Sequence, residues 1–166
     1  MFSIRRATTE DFESICDLVV ALGLISERSR ITNTLDGSSY WIASDENDSI
    51  VGCVGLEHGS QASLLRSAAV LPTHQGLGIG QALSNAAIEH SREREDSVIY
   101  LFSTHAGPYW QRLGFVPAPV EDLVRALPTA PQVRSGIQRG WLADETVWIL
   151  SLEANETTLS ESQKWN

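Results

Sequence analysis

The residues best suited to chemistry lie in one stretch, residues 64–83, which predicts a strand, a glycine-rich loop and the start of a helix. Pro72 ends the strand because it has no N–H for a ladder bond. Gly76, Gly78 and Gly80 let the backbone turn sharply and come close to a ligand. The helix, which begins near Gly78, presents the N–H groups of its first turn at the positive end of its dipole. The stretch therefore predicts a seat for a phosphate or pyrophosphate.

The spacing of these glycines matches neither of the two most familiar phosphate-binding patterns, the P-loop and the dinucleotide fingerprint. The loop has no lysine to reach a γ-phosphate and no Ser or Thr at the position that holds magnesium. On the glycines alone, a tight strand-to-helix turn that binds nothing is an open alternative.

Two segments together resemble the GNAT superfamily of N-acetyltransferases. Gln75-x-x-Gly78-x-Gly80 after an apolar strand is similar to its acetyl-CoA-binding motif, Q/R-x-x-G-x-G/A. Downstream, Ala106 and the YWQRLGF sequence of residues 109–115 are similar to its A-x-x-F-Y-x-x-L-G-F segment. The resemblance covers residues 2–151. Within the family, residues 52–57, 64–67 and 113–115 are most similar to the arsenic-resistance-type or amino-acid N-acetyltransferase branch.

The resemblance implies a fold, a cosubstrate and a reaction. The fold is α/β (α+β), with a central mixed, mostly antiparallel, splayed sheet of about six to seven strands flanked by about four helices. The cosubstrate is acetyl-CoA, without a metal, and an amine attacks the thioester directly in a ternary complex. Cofactor contacts are then expected from ten residues: Ala69, Val70, Gln75, Gly76, Leu77, Gly78, Ile79, Gly80, Tyr109 and Arg112.

The second motif departs from the family at its general acid, because Trp110 stands in the column of the usual tyrosine. An indole N–H donates a hydrogen bond but is not a useful acid. Tyr109 is one residue earlier, about 100° round a helix. It is one candidate for the acid; water, no specific group, or a packing role for Tyr109 are the alternatives. The candidate bases lie at strand ends and could each be merely solvated: Glu57, His58 and His105.

The acceptor is expected to be a small amine of the amino-acid type. Arg66 lies inside the predicted central strand, where an unpaired charge is costly, so it should have a partner. That partner is either a substrate carboxylate or an internal acid such as Glu57. Arg28 lies on a weak helix over residues 26–35, which covers the acceptor cleft in the family, and it either binds the acceptor or is a solvated helix face. Trp110 is also assigned to the acceptor pocket.

Two other functions stay open at this point. A non-catalytic acyl-CoA sensor is favoured by Trp110 in the tyrosine column. An enzyme that acetylates protein or peptide N-termini would need a wide acidic groove, which the sequence does not reveal.

Composition limits the class of protein and its partners. With 166 residues and 42% apolar content, we expect one domain over residues 1–151 and a polar tail over residues 152–166. The net charge of −9 argues against nucleic acid and anionic membranes as partners, although a nest of backbone amides can still bind an anionic cofactor.

Cys16 and Cys53 sit in apolar contexts typical of buried thiols. No leader or membrane span is found, so a cytoplasmic protein is expected, with a homodimer as one option.

Periodicity and turn residues predict the elements that position these groups. An apolar stripe of five residues marks a first helix that Gly23 closes: Phe12, Ile15, Cys16, Val19 and Leu22. Gly114 is expected to cap a short helix over residues 109–113, after which Phe115 enters the core. Further strands are predicted over residues 2–6, 40–44, 50–56, 98–102 and 145–151, with helices over 78–94 and 120–127.

Overall fold

Alternating apolar runs separated by turn residues produce seven strands, and a computed structural model describes residues 1–24, 37–103 and 105–152. The strands form one sheet in the order β1-β2-β3-β4-β5-β7-β6. The strand pairs β1–β2, β2–β3, β5–β7 and β6–β7 are antiparallel. The strands are β1 (Ser3–Arg6), β2 (Ser38–Ser44), β3 (Ile50–His58), β4 (Ala62–Val70), β5 (Val98–Phe102), β6 (Val116–Ala118) and β7 (Val147–Ser151).

Five α-helices accompany the sheet within the described residues, and together they confirm the predicted α/β fold class. They are α1 (Phe12–Ala21), α2 (Ile79–Glu93), α3 (Gly107–Arg112), α4 (Val120–Ala126) and α5 (Pro131–Arg139). The weak helix predicted over residues 26–35 and the tail beyond residue 152 lie outside the described residues. No helix in the described ranges has the length and hydropathy needed to cross a membrane.

By their contacts, the residues divide into two compact units. The first comprises residues 1–58 and 65–90, and the second comprises residues 59–64 and 91 onward. The prediction of one domain over residues 1–151 stays a prediction.

In the first unit, α1 packs the stripe that the sequence predicts. Ile15, Cys16 and Val19 are buried in a cluster with residues of β2, β3 and β4, and Phe12 and Leu22 pack against it. Gly23 follows with a φ of +72°, as expected of a residue that closes a helix. Both cysteines are buried thiols, as predicted.

The start of α1 is tied to β1 by one carboxylate. Asp11 accepts hydrogen bonds from the Thr8 N–H at 2.8 Å and from two nitrogens of Arg5, each at 2.8 Å. The Arg5 guanidinium, together with the Thr8 amide, holds the pKa of Asp11 down at about 2, against its ordinary 3.8.

Two glycines of β3 allow close packing, as the sequence predicts. Tyr40 of β2 stands opposite Gly55 of β3, and a Cβ on Gly55 would come within 2.5 Å of the Tyr40 ring. At Gly52, a Cβ would lie 3.1 Å from Leu83 and 3.3 Å from Ile79, so the first turns of α2 pack directly on β3. The missing side chain at Gly52 therefore allows the start of α2 to pack directly on β3.

The second unit has its own core around β5 and β7. Leu64, Tyr100, Leu123 and Val147 are buried in one cluster. The predicted helix end is confirmed in the same unit, since Gly114 has a φ of +98° and Phe115 is 1% exposed.

Two elements of this unit, α5 and β6, were not predicted from the sequence. Pro131 occupies the first turn of α5, where proline is favoured, and Gly140 follows that helix with a φ of +74°. The short strand β6 pairs with β7, a contact between residues about 30 positions apart in the sequence.

Candidate active site

The glycine loop of the first unit has the backbone shape expected of a ligand seat. After β4 ends at Val70, a 3₁₀ turn over Pro72–His74 leads into the loop. Gly76 and Gly78 have left-handed φ values of +79° and +86°, and a Cβ on either would meet no heavy atom within 4 Å. The loop therefore turns through conformations that favour glycine, beside open space.

The start of α2 supplies the donors. Ala82 donates to the Gly78 carbonyl at 3.0 Å, which is the first α-helical bond, so the amides of Ile79, Gly80 and Gln81 have no acceptor four residues earlier in the helix. Residues 75–78 are exposed, and no charged side chain occurs between positions 75 and 82. An uncharged, amide-rich loop at a helix start is a suitable seat for a phosphate or diphosphate group.

The Gln75 side chain turns back onto the strand. Its Nε2 donates to the Val70 carbonyl at 3.1 Å, which joins the loop to the end of β4. Ala69 is buried and Val70 is half-buried, whereas Leu77 is exposed. The Ile79 side chain is 1% exposed and anchors the helix start in the core. The predicted contact of Ile79 with a cofactor would therefore be made by its backbone.

Upstream of the loop, Ser67 within β4 has an unusual backbone conformation. This residue is not a glycine but has a φ of +55°, in the left-handed region. The Cys53 thiol donates to the Ser67 carbonyl at 3.2 Å. A left-handed residue within a strand is typical of a bulge, which redirects the side chains beside it. Arg66 and Ser67 are largely but not fully buried. Ala68, which lies between Ser67 and the end of β4, is exposed.

Four polar residues meet at this bulge, and we call Tyr40, Glu57, Arg66 and Ser67 the β4 cluster. Arg66 donates from Nη1 to Glu57 Oε1 at 2.5 Å and from Nε to Ser67 Oγ at 3.3 Å. The hydroxyls of Tyr40 and Ser67 lie 3.5 Å apart. The side chains of Arg66 and Glu57 are 12% and 3% exposed. Of the two partners expected for Arg66, the structure contains the internal acid.

Burial and charge both act on the ionisable groups of the β4 cluster. Burial works to lower the pKa of Arg66, but Tyr40 and Glu57 outweigh it and the pKa is raised. Burial raises the pKa of Tyr40, against the opposing effect of the Arg66 charge. Sequence reasoning missed Tyr40, because only the register of β2 against β3 places it there.

The other predicted bases lie elsewhere. His58 has its Nε2 2.8 Å from Ser39 Oγ, and its ring lies 5.6 Å from that of His90. Arg6 also donates to Ser39. His105 is exposed in the loop before α3. Arg28 lies outside the described residues. Within the described ranges, no group of three or more His, Cys, Asp or Glu residues is arranged to hold a metal ion.

The second motif lies in the second unit, on α3. Trp110 is 6% exposed, and its ring packs edge-on against Tyr109 and Phe115, with ring centroids 4.8 Å and 5.6 Å away. Its burial favours a packing role, and its contact with an acceptor stays a prediction. Tyr109 is half-buried, and Arg112 is exposed in the last turn of the helix.

The sequence has clear relatives. Residues 36–117 match the acetyltransferase (GNAT) domain family. The amino-acid acetyltransferase of Mannheimia succiniciproducens is 28% identical over 125 residues, which are 72% of this chain and 28% of that protein. The chain therefore spans less than a third of the length of this curated relative.

Solved structures share the fold. A GNAT-family acetyltransferase from Staphylococcus aureus superposes with a TM-score of 0.74 at 18% identity, over 92% of this chain and 99% of that one. N-acetylglutamate synthase from Neisseria gonorrhoeae, complexed with coenzyme A and N-acetyl-glutamate, gives a TM-score of 0.71 at 22% identity, over 92% of this chain and 35% of that one. The matched family model identifies residues 36–117 as a GNAT acetyltransferase domain, and these solved structures share the fold.

Proposed function

We propose that this chain is an acetyl-CoA-dependent N-acetyltransferase that moves an acetyl group to the primary amine of a small, amino-acid-like acceptor. The observation that carries the proposal is the exposed glycine loop, with left-handed Gly76 and Gly78 ahead of the amides of α2. A relative named amino-acid acetyltransferase supports the acceptor class. A structural neighbour complexed with coenzyme A and N-acetyl-glutamate supports both the cosubstrate and the acceptor.

Most of the cofactor would be held by main chain. The loop from Gln75 to Gly80 would bind the diphosphate through its amides, and Ala69 and Val70 would bind the pantetheine arm. Tyr109 and Arg112 of the second unit are proposed as further contacts, by their places in the second motif. Acetyl-CoA supplies the activated acyl group, and the protein has to bind and orient it.

The chemistry makes modest demands on side chains. Holding an amine and a thioester in line contributes roughly 7–11 kcal/mol in well-oriented systems. The Val70 N–H would donate to the developing oxyanion, and such a donor is typically worth about 3 kcal/mol. Tyr109 or water would protonate the departing thiolate, which is a tolerable leaving group near neutral pH. A base such as His105 would deprotonate the amine, directly or through water.

An acyl-CoA sensor without catalysis is the second candidate, favoured by the buried Trp110 in the tyrosine column. Release of free thiol from acetyl-CoA over a panel of amino acids and simple amines separates the two functions. A rate that saturates with one acceptor supports the enzyme. Tight binding of coenzyme A without turnover supports the sensor. Neither binding nor turnover would reject both.

A further inference from the structure

We propose that Tyr40 and Glu57 are positioning residues that hold the Arg66 guanidinium ready to bind a carboxylate of the acceptor. The acceptor would then be an α-amino acid or another amine with a carboxylate close to it. This inference rests on the proposed function and refines its acceptor. It assigns Tyr40 a part in that site, and it gives Glu57 a role other than that of a base.

The first support is the way in which Arg66 is held. A guanidinium has five N–H donors in one plane and binds carboxylates through paired donors. Within the described part of the chain, two of the five are engaged, by Glu57 at 2.5 Å and by Ser67 at 3.3 Å. Two anchors in different directions fix the plane of the group. The other donors of Arg66, on a side chain that is 12% exposed, would then bind a carboxylate that arrives from solvent.

The second support is the enclosure of Glu57. A general base has to reach the proton that it removes, within about 3 Å or through one water. The Glu57 side chain is 3% exposed and is already in contact with Arg66. Its geometry suits a fixed counter-ion that orients the guanidinium and compensates the cost of burying it.

The third support is the confinement of Tyr40. Its ring lies against Gly55, where a Cβ would come within 2.5 Å of the ring carbons, so the ring has little room to move. Its hydroxyl lies 3.5 Å from Ser67 Oγ, and Ser67 in turn accepts from Arg66. The Tyr40 hydroxyl therefore lies beside the Ser67 hydroxyl that accepts from Arg66, and through it limits the movement of the guanidinium.

The place of the cluster in β4 supplies the last step. The left-handed Ser67 lies three residues before Val70, which we propose as the pantetheine contact and oxyanion donor. A carboxylate held at Arg66 would bind the acceptor to the same strand that carries this donor.

The first experiment removes one hydroxyl. In Tyr40→Phe, the ring over Gly55 is kept, and we expect the KM for an amino-acid acceptor to rise about tenfold. We expect kcat, the KM for acetyl-CoA and the KM for the matching α-amide, which lacks the carboxylate, to change less than twofold. Tyr100→Phe is the matched control, because Tyr100 is also 5% exposed but lies in the core of the second unit. Equal KM changes for the amino acid and its amide would overturn the inference.

The second experiment tests Glu57 with Glu57→Gln, which keeps a hydrogen-bonding oxygen but removes the charge. A positioning role predicts a higher KM for the amino acid, a turnover rate that stays within about threefold of the parent's and an unchanged acid limb of the pH–rate profile. A turnover rate that falls at least 100-fold, with loss of that limb, would make Glu57 the base and overturn the inference.

A charge-neutral variant guards against misfolding. Because a lone buried charge is strongly destabilising, Glu57→Gln is combined with Arg66→Met. The double variant removes both charges and keeps most of the volume of the two side chains. We expect this double variant to fold, to bind coenzyme A as the parent does, and to lose its preference for the amino acid over the amide. A retained preference would overturn the inference.

The readouts separate this inference from the proposed function. Thiol release with α-amides and calorimetric binding of coenzyme A report on acetyl transfer alone. If both are present and the amino acid has no advantage over its amide, only the carboxylate site is rejected. If no acceptor supports thiol release, the proposed function is rejected, and the inference with it.

Discussion

At the candidate site, Gly76 and Gly78 set the shape of a loop that has no charged side chain between positions 75 and 82. Both have left-handed φ values, and both face open space where a Cβ would stand. Left-handed backbone costs an L-residue about 1–2 kcal/mol, so these positions favour glycine for conformation as well as for room. An anionic cofactor is therefore expected to meet backbone amides here and not side chains.

The loop can be tested at one residue. Gly78→Glu adds a side chain and a negative charge where we place the diphosphate, and we expect the affinity for coenzyme A, measured by calorimetry, to fall at least 100-fold. Gly140→Glu is the matched control, because Gly140 also has a left-handed φ with open space but follows α5 in the second unit. The two variants should lose similar stability, and unchanged affinity in Gly78→Glu would remove the diphosphate assignment.

Cys53 also gives a prediction at this scale. Burial, with a smaller effect of Cys16, raises the pKa of its thiol to about 12. Since the thiolate is the reactive form, Cys53 should be inert in the folded protein. An aromatic disulfide reagent at pH 8 should leave it unmodified over minutes, as read by peptide mass, and modify it at once in denaturant. Fast modification of the native protein would show that this part of the core opens readily.

At the scale of elements, the start of α1 depends on the Asp11 carboxylate. Its pKa is lowered from 3.8 to about 2 in the folded chain, chiefly by Arg5. A lowered folded-state pKa means that the stabilisation is complete above about pH 4 and is lost as the pH falls through about 2. Arg5 is half exposed, with 51% of its side chain accessible, so solvent screens part of the effect.

Asp11→Asn should therefore lower the free energy of unfolding by about 1–2 kcal/mol at pH 7. The difference from the parent should shrink between pH 4 and pH 2 in denaturant titrations. Asp122→Asn is the control, because its pair with Arg125 is 3.7 Å long and exposed, and should change stability by less than about 0.5 kcal/mol. A deficit that does not depend on pH would mean that Asp11 acts by packing alone.

For the molecule as a whole, binding of coenzyme A should appear as thermal stabilisation. A ligand at 100 times its Kd adds about 2.7 kcal/mol to the stability of the folded state. For a chain of this size, that corresponds to a rise in Tm of roughly 5–10 °C. Differential scanning calorimetry with and without coenzyme A measures it, with Gly78→Glu as the variant that should show no rise. Identical melting curves for the parent would contradict the proposed cofactor.

Signals that act between neighbouring residues determined much of the fold and the glycine loop of the candidate site. Pro72, the loop glycines and the apolar helix stripes act over a few neighbouring residues, so β5, α2 and the glycine loop were predictable. Residue types in order were also enough for the GNAT resemblance. The Pro131 and Gly140 signals of α5 were present as well, but were hidden in a stretch without clear periodicity.

Only the tertiary structure decided the partners of the polar residues. Arg66 meets Glu57 across nine positions, Tyr40 reaches Ser67 across 27, and Trp110 is enclosed by its neighbours on α3 and by Phe115. These contacts follow from strand register, from the left-handed Ser67 and from side-chain packing. The contacts of Arg66 and Tyr40 depend on residues that come together only when the sheet forms, and a shift of one residue in register would turn Tyr40 to the other face.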